Sequence, residues 1–337
     1  ISGVYAQNYT ISTLGNNIII TDVSGNSDEL IITQSGGNIN FATVAARTYS
    51  LNGGVITAFP VAISLAGVTS ITINAEAGND VMNMGAFTAA LPNLTINGGT
   101  GGDTVLFNGD ISFAANASLD VDLQNDNAIP GVDRVTLASN VNLVFSGTGG
   151  ATIRVSRDVQ LNTGGSIVTT NGNLIVEANQ QLVPTSAGFV GVDIIGGLLQ
   201  TSGTGSLTVR GKGGNTGDYQ HGIHLRSLGK ILGGTAGLVT LQGTGGISGG
   251  SYNYGVYVEG ANAAVNSAGG NVSVTGQGGG SGSSINNLGV FVQDGGIISA
   301  GGSGTVSVLG TGGLSNGNFN AGIFVSGVNA AITSSGG

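Results

Sequence analysis

Apolar and polar residues alternate in runs of three or four along most of this chain, and the runs recur at a fixed distance. Apolar–polar–apolar triplets begin at Leu207, Val239, Val272 and Val306, at spacings of 32, 33 and 34 residues. A second set follows in each unit: "GIHL" at 222–225, "GVYV" at 255–258, "GVFV" at 289–292 and "GIFV" at 322–325. A third is marked by Ile231, Val265, Ile298 and Ile332. A looser copy runs from "LIV" at 174–176 through "GVDI" at 191–194 to Leu199. Such short alternation predicts half-buried strands, and its long period predicts a repeat architecture.

A strand of three or four residues does not persist alone. Stacked on its equivalent one coil away, it joins a hydrogen-bonded ladder with a spacing of about 4.8 Å. The expected fold is therefore all-β, a parallel β-helix or β-solenoid with three short strands per coil and about 33 residues per coil in the C-terminal half. Alternation sends Val256 and Val258 inward with Tyr257 outward, and Val290 and Val292 inward with Phe291 outward. Read down the coils, the outward position is Asp193, His224, Tyr257, Phe291 and Phe324.

Between the first and second strands lie Gly/Ser/Asn-rich insertions: "GKGGNTGDYQH", "GTGGISGGSYNY", "GQGGGSGSSINNL" and "GTGGLSNGNFNA". Residues 153–168 read as a coil without one. Each insertion carries an apolar residue just before the second strand: Tyr219, Tyr252, Ile285 and Phe319. The expectation is that the loops fold over the solenoid and that these residues pack on the outward column as a small satellite core. The alternative is an exposed aromatic strip that binds a ligand or another copy, with His224, Tyr257, Phe291 and Phe324 as its residues. Residues 1–145 have the same grain with less regularity ("NIIITDVSG", "SITINAEAG", "NLTINGGTGG"). They suit wider coils of the same solenoid or a separate β-domain, and residues 146–337 form the regular repeats.

Composition narrows the reading. Glycine supplies 65 of 337 residues, yet there is no Gly-X-Y period and proline occurs only four times, so collagen is excluded. Hydrophobic residues make up 40%, which disfavours disorder. No apolar run approaches the roughly 18 residues of a membrane span, so no membrane insertion is expected. Cysteine is absent, which removes thiolate chemistry. The opening "ISGVYAQNYT" lacks the features of a signal peptide, which suits a processed chain or an excerpt of a longer one. The net charge of −9 is uneven: residues 1–133 hold eleven acids and a single base, Arg47. Nucleic acid is thereby disfavoured as a partner, and cations suit the acidic half.

Little catalytic chemistry is visible. A glycoside-cleaving β-helix needs clustered carboxylates, but the coils after Asp193 place His224 and Tyr257 at its position. In "LDVDLQND", Asp120 and Asp122 share one strand face, with Leu119, Val121 and Leu123 predicted as core. His221 and His224 fall at strand positions facing opposite ways and read as surface residues at a corner. No catalytic centre is expected.

Two resemblances follow from quoted residues. "GGTGGDTVL", residues 98–106, is similar to the calcium-binding nonapeptide of repeats-in-toxin proteins, and "AEAGNDVMN" at 75–83 is a relaxed version. The resemblance implies calcium as a cofactor, held at a turn containing Gly101 by backbone carbonyls and by Asp103 and Asp80. Asp28 in "GNSDELII" and Asp133 in "GVDRV" repeat the theme of turn, Asp and apolar residue. The coils "NVSVTGQGG…GVFVQDGGIISAGGSG" and "TVSVLGTGG…GIFVSGVNAAITSSGG" resemble the Gly/Ser/Val-rich repeats of large bacterial surface proteins, the filamentous haemagglutinin-like adhesins and autotransporter passenger domains.

That second resemblance covers residues 174–337. It implies a secreted or surface-located structural and adhesive segment that forms a rod or multi-copy filament. Its partners would be further copies of itself and a glycan or protein on a target cell. The alternatives are a glycan-binding or glycan-cleaving β-helix and a calcium-dependent folding module.

Overall fold

The computed structural model describes residues 6–124 and 131–335, so Asp126 of the "LDVDLQND" stretch lies outside it. Three sheets of 13, 12 and 8 strands run side by side, and most of their ladder partners are parallel. One coil contributes one strand to each. In the regular part these are Val239–Thr244, Val256–Glu259 and Ala264–Ser267, followed one coil later by Val272–Gln277, Val290–Gln293 and Ile297–Ala300. The architecture is a parallel β-solenoid, as the periodicity predicts.

Register follows the sequence pattern. Val239 pairs with Val272 and Val272 with Val306 on the first face. Ile231, Val265, Ile298 and Ile332 pair in order on the third. Val256, Val258, Val290 and Val292 are fully buried. Each such side chain contributes roughly 1.5–3 kcal/mol through burial, so the stacked core holds together coils whose strands are too short to stand alone. The core is one continuous cluster from Tyr9 to Ala300.

The ladders cross residue 145 without a break. Leu119–Leu123 pairs with Ala151–Val155, Arg134–Leu137 with Asp158–Leu161, and Asn142–Val144 with Ser166–Thr169. Leu119, Val121 and Leu123 are buried, as alternation predicts, while Asp120 is exposed and Asp122 half-buried.

The first coils differ. Tyr9–Ser12 pairs antiparallel with Asn17–Asp22, and Glu29–Ser35 antiparallel with Asn38–Thr43. Asn38–Thr43 pairs antiparallel in turn with Val61–Ser64, and Thr48–Leu51 with Thr57–Ala58. Folded-back strands thus finish two of the sheets. Both outermost strands are short, 2 and 4 residues, and Pro60 between them has no N–H to offer, which blunts the edge.

Candidate functional site

The outward column on the second face is a stack of rings. His224, Tyr257, Phe291 and Phe324 are register partners in consecutive coils. His224 lies over Tyr257 at 4.7 Å between centroids, Tyr257 over Phe291 at 5.0 Å, and Phe291 over Phe324 at 5.4 Å. These distances match the inter-strand spacing, so the ladder itself sets the stacking.

The glycine-rich loops cover this column mainly through residues other than those expected, and of the expected four Tyr252 packs against it. His221 stacks on Tyr254 at 4.8 Å, and Tyr254 turns its edge to both Tyr257 and Phe291 at 5.0 and 5.3 Å. Tyr254, Tyr257, Leu288 and Phe291 form a second buried cluster, with Tyr252 and Ala321 against it. Of the four expected cover residues, Tyr219 and Phe319 are instead 57% and 76% exposed, and Ile285 is also exposed.

The reason is local backbone geometry. Tyr219, Tyr252, Asn286 and Phe319 all sit at a left-handed turn, with φ of 61°, 61°, 55° and 58°. That turn leaves the Tyr219 and Phe319 side chains exposed and Tyr252 half-buried, and hands the inward place to the residue two further on. The satellite core exists, but Tyr254 and Leu288 fill it.

A side-chain ladder invisible to hydrophobic patterning holds the loops together. The Gln220 N–H donates to Asn253 Oδ1 at 2.8 Å, the Asn253 N–H to Asn287 Oδ1 at 3.1 Å, and the Asn287 N–H to Asn320 Oδ1 at 2.9 Å. Asn287 Nδ2 also donates to Ser284 Oγ, Ser315 Oγ and Asn320 Oδ1. Asn253 and Asn287 are fully buried. The signal was available: each ladder residue stands two before the glycine that opens the second strand.

An equivalent ladder of aspartates occupies the corresponding corner of the earlier coils. The Asp28 N–H donates to Asp80 Oδ1, the Asp80 N–H to Asp103 Oδ1 and the Asp103 N–H to Asp133 Oδ1, at 2.8, 2.8 and 2.6 Å. Below, the Asp133 N–H donates to Ser156 Oγ. At the top, Arg47 pairs with the Asp28 carboxylate, which also accepts from the Tyr9 hydroxyl. All four aspartates are buried. Burial, opposed by the hydrogen bond from the Asp28 N–H and reinforced by the charge of Asp103, pushes the Asp80 carboxyl up to about 7.

This ladder accounts for the turn–Asp–apolar theme at Asp28, Asp80, Asp103 and Asp133. Gly101 has a packing role there: its φ is +134°, and a Cβ on it would collide with the Gly78 carbonyl oxygen. Among the described residues no group of three or more His, Cys, Asp or Glu side chains is placed to hold a metal ion. Calcium takes six to eight oxygen ligands, whereas the Asp80 and Asp103 carboxylates each spend an oxygen on a backbone N–H in the coil before.

His221 and His224 are not the surface pair the spacing suggested. His221 lies before its strand and folds back over it, so the rings meet edge to face at 4.9 Å and both residues are buried. Burial, with His224 and Arg226 nearby, holds the His221 imidazole well below its usual pKa. Its Nδ1 accepts from the Tyr254 N–H at 3.3 Å. His224 has Asp193 at 3.9 Å from Nδ1 and Glu259 at 3.5 Å from Nε2. Arg226 grips both oxygens of Asp193 at 3.1 and 2.7 Å.

Two hollows flank the ring stack where the loops leave it open. One of about 350 Å³ is lined by Tyr219, His221, Arg226, Tyr254, Tyr257 and Glu259, among others. Another of about 310 Å³ is lined by Tyr252, Tyr254, Leu288, Phe291, Gln293 and Phe319, among others. They share Tyr254. The candidate site is this aromatic-walled face, formed by equivalent positions of successive coils. Comparison with known proteins finds no matching family model, no matching curated protein and no matching solved structure.

Proposed function

We propose that this chain is a structural and adhesive segment of a large secreted bacterial surface protein, a rod that holds a binding face away from the cell. The observation that carries the reading is the set of three continuous ladders, up to 13 strands long, wound on one uninterrupted core. Such a body is stiff along its length and repeats the same surface every coil, which suits display and lateral contact. Few charges stand on the loops that cover one side, and exposed Tyr219 and Ile247 project from them. Low charge and protruding apolar groups favour side-by-side packing of copies into a filament.

Electron microscopy of the natural, unfragmented material tests this reading. Rods or multi-copy fibres on the cell surface are expected. A compact particle inside the cell, or a species strictly monomeric at high concentration with no surface location, would end it.

A further inference from the structure

We propose that the two hollows beside the ring stack form one binding surface for a neutral oligosaccharide, with a sugar ring seated in the slot between Tyr252 and Phe319. The inference rests on the reading of the rod as a display scaffold and names the class of ligand displayed to.

The wall is a broken row of rings. Tyr219, Tyr252, Asn286 and Phe319 occupy equivalent positions, because each of the first three donates its N–H to the residue just before its counterpart in the next coil. Tyr219 and Tyr252 stack at 5.2 Å. At the third coil the ring is missing, and Asn286 leaves a slot with Tyr252 on one side and Phe319 on the other, two coil spacings or about 9.6 Å apart. Phe291 and Leu288 line the same slot, along with Gln293. Flat apolar rings beside scattered hydrogen-bonding groups match a pyranose, which has apolar C–H faces and a rim of hydroxyls.

The polar groups fit that rim. Glu259 and Asn286 offer acceptors and an amide donor along the groove, while Gln293 already accepts from the Tyr257 hydroxyl and donates to Asp294. The lining guanidinium, Arg226, is already held by Asp193, and Glu259 lies beside it. Together with the net charge of −9, this disfavours a carboxylated or sulfated glycan.

The test titrates the intact chain by calorimetry with neutral tetra- to hexasaccharides of the cello, xylo, manno and chito series. Acidic glycans and Pro- or aromatic-rich peptides serve as comparison probes. Three variants are compared: Tyr252→Ala, Phe319→Ala, and Asn286→Phe, which restores the missing ring. Asn286→Phe keeps the fold because Tyr219, Tyr252 and Phe319 carry rings at the same backbone conformation. Binding of at least one neutral oligosaccharide, weakened tenfold or more in all three variants with unchanged melting temperature in Phe319→Ala and Asn286→Phe, is expected.

Absence of binding, binding of acidic glycans or peptides alone, or equal binding by the variants overturns the proposal. So does concentration-dependent self-association that the variants abolish without any sugar bound. Rods seen by microscopy with no oligosaccharide bound would sink this site and leave the display reading standing.

Discussion

The backbone N–H of Asp80 points at Oδ1 of Asp103, one coil further on, at 2.8 Å. The carboxylate of one coil completes the turn of the coil before it. Truncating Asp103 to Ala leaves that buried N–H unpaired, at a cost of about 1–3 kcal/mol, whereas Asn keeps an acceptor and costs less. Coils can open locally, so amide hydrogen exchange at Asp80 is the measurement. Protection should collapse in Asp103→Ala and survive in Asp103→Asn.

The raised Asp80 carboxyl makes a pH prediction with a definite sign. Between about pH 4 and pH 7 the folded chain holds a proton there that the unfolded chain has released. This group's contribution to stability therefore falls as pH rises through that window. His221 acts with the opposite sign: below about pH 6.5 the unfolded chain takes up a proton that the buried imidazole refuses. The clean readout is a difference. The melting temperature of Asp80→Asn minus that of the parent should increase from pH 4 to pH 8; a flat difference would contradict the assignment.

Asn287 sits at the hub of the amide ladder, so its substitutions should rank by what they leave behind. Asn287→Ala strands the Asn253 N–H and removes the donors to Ser284, Ser315 and Asn320, for a loss of roughly 2–4 kcal/mol. Asn287→Asp keeps the acceptor and sets a buried charge against Asn320 Oδ1, so it should be as damaging at pH 7 and recover in acid. Urea denaturation at two pH values checks the order.

Two glycines of one loop should respond oppositely. A Cβ on Gly246 would fall onto the Gly214 carbonyl oxygen, while one on Gly249 meets nothing within 4 Å and its φ is not left-handed. Gly246→Ala forces adjacent coils apart and should lower the soluble yield or the melting temperature sharply. Gly249→Ala should be neutral or stabilise by up to about 1 kcal/mol, because it restricts only the unfolded chain.

Calcium offers a direct check on the nonapeptide resemblance. With Asp80 and Asp103 engaged in the ladder and no cluster of ligands among the described residues, calcium at millimolar concentration and a chelator should give the same melting temperature. A rise of several degrees with calcium would restore the metal reading.

The solenoid was legible because its signal is redundant. Leu207, Val239, Val272 and Val306 repeat one alternation in one register, and the same counting places His224, Tyr257, Phe291 and Phe324 in a column. The folded-back strands at 9–64 were not legible, since apolar alternation reads the same in parallel and antiparallel pairs. The aspartate ladder was half-legible. The residues were noticed, but the unequal spacings of Asp28, Asp80, Asp103 and Asp133 hid that they are one position of successive coils. The cover of the ring column was misassigned at Tyr219 and Phe319, though not at Tyr252, because positive φ at these positions carries no clear mark in aromatic residues.

The ladders also decide how this protein yields to force. Their hydrogen bonds lie along the rod, so a pull on the chain loads them one coil at a time, like a zip, instead of shearing a whole sheet at once. Val239 and Val272 are register partners 33 residues apart, so each coil that opens releases about 110 Å of extended chain. Pulled from its ends, the segment would lengthen in repeated steps of that size.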